Sequence, residues 1–221
     1  MASLYNQIQG QNLERLAALS DGIFAVAMTL LVLDLHVPSM ANVHSEYELR
    51  HALILVFPQI VACLLSFLTL GIFWAGQQTQ LNYFSRGNRD LTWIHIAFLF
   101  SISIMPFSTR LLAEFITYRT ALLIYWANIV FPGLLLYISW RYATRSGFLH
   151  EGMPLEVRRS MRRRIVYAQS LYAFGALLCV VNTYCSIAFI VLVQLNYAIA
   201  PRRAMFFRNR MGAKGSSSQL K

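Results

Sequence analysis

Charge is scarce in this 221-residue sequence: 13% of residues are charged, and only 9 are acidic against 19 Lys and Arg. So little charge cannot dissolve a chain with 57% hydrophobic residues and a mean hydropathy of +0.50, which excludes a water-soluble domain. Cysteine is almost absent. Cys63, Cys179 and Cys185 lie inside apolar stretches, without metal-ligand spacing or an even-numbered disulfide framework, and read as small buried hydrophobes. The motifs G-x-x-x-x-G-K-[ST], G-x-S-x-G and H-E-x-x-H are missing, and no two acids stand at a readable facing distance, so no enzyme and no metal site is expected. There is no TVGYG loop either, which excludes the usual carbonyl-lined potassium filter.

What the sequence has is apolar length. A membrane-spanning helix needs about 20 mostly apolar residues. Six such segments fall near 16–35, 52–75, 91–113, 120–140, 164–182 and 184–200. Residues 165–200 are too long for one crossing and barely long enough for two, which places a tight turn at Asn182-Thr183-Tyr184. Cytoplasmic loops collect Lys and Arg, and with the amino terminus inside, sixteen of the nineteen basic residues fall on inside segments. Arg50, Arg110 and Arg119 are the exceptions. The expected fold is therefore all-α and polytopic, with six transmembrane helices and both termini cytoplasmic.

Residues 1–205 form the membrane domain in this reading, and 206–221 a polar basic tail expected to be disordered. The first fourteen residues are polar and the first apolar segment is full length, so that segment is expected to stay as a helix. The net charge of +10 needs no nucleic acid, because RRSMRRR at 158–164 and APRRAMFFRNR at 200–210 suit topology and anionic lipid head groups. His36, His44 and His51 fall in the first external loop, where a solvated role outweighs a metal site. His95 lies within the third segment and is either a functional ionisable group or a neutral imidazole satisfied by a neighbour.

The first apolar segment, RLAALSDGIFAVAMTLLVLDLHVP from Arg15 to Pro38, sets an acid near hydrocarbon. Such a carboxylate is costly and needs a partner or a task. Projection at about 100° per residue puts Gly22, Val26, Thr29, Leu30 and Leu33 on one stripe. Asp21 falls with Phe24, Met28, Leu31 and Leu35 on the other side, with Ala25 and Ala27 as narrow flanks. Periodicity alone leaves open which stripe faces a pore. It also leaves open an ordinary packed helix with Asp21 tied to Arg15 or to another helix.

Arg15, Ser20, Asp21 and the run from Gly22 to Leu33 closely resemble the R-x-x-x-F-S-D signature and first helix of the transmembrane protein 175 family, endosomal and lysosomal potassium channels with bacterial relatives. Trp74 and Pro106-Phe107 resemble the family as well. The bacterial form, one six-helix repeat per chain assembled as a homotetramer, is the form it resembles. The resemblance implies a central pore lined by the first helix, with its constriction on Val26 and further layers on Leu30 and Leu33, and with Thr29 beside them. It gives Arg15, Ser20, Asp21, Trp74 and His95 a structural role, in a polar network bracing that helix. Leu19 stands in place of the signature phenylalanine, Val26 in place of Ile or Leu, and Gln77 and Gln78 where the family carries histidine, so glutamine or His95 closes the network. The expected activity is potassium-selective conduction in a bacterial plasma membrane, without a bound cofactor. The rivals are a secondary transporter, a proton-permeable channel and a non-conducting scaffold. No inverted repeat supports a transporter, and Pro58, Pro106 and Pro132 do not sit in corresponding halves.

Overall fold

The computed structural model describes residues 13–38, 44–178 and 185–196. The chain builds seven helices there: α1 (Leu13–Leu33), α2 (Glu46–Leu81), α3 (Arg89–Ser103), α4 (Met105–Glu114), α5 (Arg119–Arg145), α6 (Leu155–Leu177) and α7 (Cys185–Asn196). Extended pairing among the described residues is limited to one isolated bridge between Phe84 and Leu149.

Local chemistry explains where these helices begin. Ser45 caps α2 by accepting from the Glu48 amide at 3.2 Å, with Glu46 and Glu48 in the first turn against the positive end of the helix dipole. Asn88 caps α3 by accepting from Leu91 N at 3.0 Å, with Asp90 beside it. The third apolar segment is a rod interrupted at Ile104, because Pro106 in the first turn of α4 has no N–H to donate back. Among the described residues, four stretches are long and apolar enough to cross a membrane: Leu13–Leu33, Glu46–Leu81, Arg89–Glu114 and Arg119–Arg145.

Several boundaries differ from expectation. Helix α2 starts at Glu46, so His51 stands on the helix and not in the external loop, while the His44 amide donates to Glu48 Oε2 at 2.6 Å. Helix α6 starts at Leu155, well before residue 164. Arginine is a good helix former, and a helix need not stop at the membrane boundary. Its apolar part spans only 165–177, and α7 is also short. Cys63 is buried, but Cys185 is exposed, because α7 buries Ser186, Ile187, Ile190, Val193 and Gln194, a stripe from which Cys185 turns away. Cys179, the turn at 182–184 and the tail at 206–221 lie outside the described residues.

Two apolar cores stack along the bundle. The larger joins Phe24, Leu31, Phe73, Phe98, Leu99, Leu122 and Ile129 with residues of α6 and α7. The smaller joins Leu16, Leu81, Phe84, Leu91, Trp140, Ala143 and Leu149 at the end where the bridge ties two loops. Helices α6 and α7 approach closely at Gly175, whose carbonyl accepts from Ser186 Oγ. A Cβ on Gly175 would lie 2.9 Å from Ile190 Cγ1 and 3.2 Å from Phe189 Cδ1, whereas one on Gly71 would meet nothing within 4 Å. Gly175→Val is therefore expected to cost about 1–3 kcal/mol through overpacking, read as a lower midpoint of thermal unfolding in detergent. Gly71→Ala should leave the midpoint unchanged or raise it; equal losses would refute this packing account.

Candidate pore helix and its polar layer

Helix α1 has two unlike faces. Leu16, Ser20, Phe24, Ala27 and Leu31 are buried at helical spacing against α2, α3 and α4. On the other side Val26 is 58% exposed, Leu30 43% and Leu33 79%, so the stripe of candidate constriction residues has little cover from the described residues. Val26, Leu30, Gly22 and Leu19 line a groove of about 430 Å³ that Ser103 closes from the end of α3. Thr29 is exposed beside them, and its hydroxyl donates to the Val26 carbonyl at 2.8 Å. That bond uses its hydrogen and leaves the oxygen's lone pairs facing outward as acceptors.

The other face carries a chain of hydrogen bonds across four helices. Ser20 Oγ donates to the Leu16 carbonyl at 2.9 Å and accepts from Gln77 Nε2 at 2.9 Å. The second hydrogen of the same amide goes to His95 Nδ1 at 3.2 Å, and His95 Nε2 lies 3.0 Å from Ser139 Oγ. With Nδ1 assigned as acceptor by this network, Nε2 carries the proton and donates to Ser139. All four side chains are buried, at 1% exposure or less. The Gln77 Oε1 atom is left without a donor.

Asp21 is exposed and sits beside that layer. Its Oδ1 accepts from Trp74 Nε1 and from Gln78 Nε2, each at 2.7 Å. The two donors are one turn apart on α2, so the carboxylate clamps α1 to α2. Arg15 is exposed at the entrance of α1, and the hydrogen bonds of Asp21 run to α2. Pro106 is buried at the start of α4, and Phe107 is 66% exposed. No three His, Cys, Asp or Glu side chains come together as metal ligands among the described residues.

Sequence reasoning did not single out Ser139, although a hydroxyl inside the 120–140 segment was a signal. A second buried polar group also went unnoticed. Thr109 Oγ1 donates to Ser66 Oγ at 2.6 Å, Ser66 Oγ to the Tyr125 hydroxyl at 3.1 Å, and Gln194 Nε2 to Thr69 Oγ1 at 2.5 Å.

Long apolar helices joined through buried polar side chains, with one helix offering an uncovered apolar stripe, define a multi-pass helical membrane protein. The family described as endosomal/lysosomal potassium channel TMEM175 matches residues 15–106. A potassium channel of Streptomyces collinus is 33% identical over 62% of this chain and 67% of its own length. A potassium channel of Chamaesiphon minutus is 25% identical over 84% of this chain and 93% of its own. The crystal structure of a lysosomal potassium-selective channel TMEM175 homolog from Chamaesiphon minutus superposes with a TM-score of 0.75 at 22% identity, over 85% of this chain and 97% of that one. The chain belongs to the TMEM175 family, in its bacterial form, and the family is one of channels and not of enzymes.

Gln77→Leu removes the amide that donates to both Ser20 and His95 and puts an apolar side chain of similar size in its place. Leaving buried acceptors unpaired costs about 1–3 kcal/mol, expected as a lower thermal midpoint in detergent. Gln78→Leu leaves Asp21 its Trp74 bond in an exposed place and should cost under about 1 kcal/mol. A Gln77 variant as stable as the parent would show that the layer carries no stability.

Proposed function

We propose that this chain is one subunit of a potassium-selective cation channel in a bacterial plasma membrane. Residues 1–205 cross the bilayer six times with both termini cytoplasmic, and four copies enclose a central pore lined by α1. The observation that carries this reading is geometric: α1 is held by its polar face, and its apolar stripe stays uncovered among the described residues. Val26 forms the constriction, Leu30 and Leu33 the next layers, and Thr29 offers acceptor oxygens beside them. Arg15, Ser20, Asp21, Trp74 and His95 brace the helix. Potassium is the permeant species and no cofactor takes part. The membership of a potassium channel family supports this reading, as does the naming of both bacterial relatives as potassium channels.

An apolar ring cannot replace a hydration shell, so it must act through width and dewetting. Val26→Asn should raise conductance and erode the preference for potassium over sodium, while Val26→Leu should lower current and keep or sharpen that preference. Leu31→Asn, on the buried face, should harm packing without moving ion preference. Reversal potentials under bi-ionic conditions decide this; shifts in the Leu31 variant but not in the Val26 variants would place the pore on the wrong face. Liposome flux without saturation or counter-substrate separates a channel from a transporter or a scaffold.

One α1 cannot surround a pore, so conduction requires a closed oligomer, fourfold in this reading. Native mass spectrometry of a conducting preparation should show tetramers. Monomers alone would refute the assembly.

A further inference from the structure

Between the end of α5 and the start of α6 lies a cleft of about 630 Å³ that the conduction pathway does not use. Arg141 and Arg145 from α5 and Arg158, Arg159 and Arg162 from α6 line it, and no acidic residue does. None of these five has an acidic partner at ion-pair distance among the described residues. Arg158 and Arg162 are also like charges one turn apart, an unfavourable spacing.

Two further observations point to an anion as the ligand of this cleft. The Nε–H of Arg158 is buried and has no acceptor, and a buried donor left unmade is costly. Pro154 precedes α6 and gives it no side-chain cap, so the first amides and the positive end of the helix dipole add to the field of the arginines, offset in part by Glu156 in the first turn. Arginine forks match phosphate oxygens with paired hydrogen bonds. The cleft adjoins the end of the apolar span Arg119–Arg145, and Trp140 and the exposed Leu155 give it an apolar wall. That combination suits a phosphate attached to acyl chains.

We propose that this cleft is a binding site for the phosphate head group of an anionic membrane lipid, held by Arg158 and Arg162 with Arg141 and Arg145 facing them. Lipid bound there bridges α5 to α6, across a loop whose one acid, Glu151, forms no ion pair with these arginines.

The test titrates the purified full-length protein in neutral detergent with phosphatidylglycerol, with phosphatidylcholine and with inorganic phosphate, counting bound lipid by native mass spectrometry. Phosphatidylglycerol should bind in preference to phosphatidylcholine. Arg158→Gln with Arg162→Gln should weaken it about 30-fold, whereas Arg163→Gln with Arg164→Gln, on the same helix but outside the cleft, should weaken it less than about threefold. Circular dichroism checks that both double variants keep their helices. Equal losses in the two double variants would overturn the site in favour of diffuse charge attraction, and equal binding of the two lipids would overturn it outright. Displacement of phosphatidylglycerol by equimolar inorganic phosphate would identify a soluble phosphate ligand and overturn the lipid assignment.

Discussion

The hydrogen-bond chain Ser20–Gln77–His95–Ser139 is the constraint on which the arrangement of the helices depends. Inside a bilayer, apolar side chains gain little by choosing one another over lipid tails, so apolar contact alone sets register weakly. Each of the four helices runs from one apolar core through one polar residue into the other. The sequence of residues is Leu16, Ser20, Phe24 on α1 and Leu81, Gln77, Phe73 on α2. On α3 it is Leu91, His95, Phe98, and on α5 Ala143, Ser139, Leu136. A slip of one turn in any helix would carry its polar residue into a core of hydrocarbon and strand its partner. Register is thereby fixed by a few bonds and filled in by packing.

The second polar group shows how α1 differs from its neighbours. Ser66, Thr69, Thr109, Tyr125 and Gln194 tie α2, α4, α5 and α7 together, and α1 contributes nothing to those bonds. Helix α1 is held instead by Ser20, by the Asp21 clamp, and by Cys63 Sγ, which donates to the Leu31 carbonyl at 3.4 Å. Near its exit Asp34 meets Arg110 at 3.9 Å, a half-exposed pair of small energetic worth. All of these contacts fall on one side. The opposite side of α1 is therefore left free without leaving the helix loose.

The apolar runs were legible in the sequence because they are local; the caps Ser45 and Asn88 and the break at Pro106 are local signals too, but hydropathy alone passes over them. The division of α1 into two faces was legible as well, since helical periodicity separates Val26, Leu30 and Leu33 from Phe24 and Leu31. Which residue meets which was not. Ser139 is linked to His95 across 44 positions of sequence, and no periodicity within α5 marks it out from other small residues. Gln77 and Gln78 attracted notice only because the family carries histidine nearby. They take different partners, Ser20 and His95 for one and Asp21 for the other, since successive helical residues point about 100° apart. The early start of α6 was hidden for the opposite reason. A run of arginines reads as a loop when hydropathy is the guide, although its backbone propensity is helical.

Bracing and conduction meet in the geometry of a single helix. Six residues separate Ser20 from Val26, about 9 Å along a straight α-helix. A β-branched valine has little freedom at χ1, so it cannot adjust the width of a ring by changing rotamer as a longer side chain would. On the proposed reading, the opening at Val26 is then set by where the backbone of α1 stands, and the polar layer sets where it stands. An acid at Asp21 is useful under that arrangement even though it lies off the apolar stripe. Two bonds from adjacent turns of α2 fix both the height and the rotation of α1, and a single bond would fix only its distance.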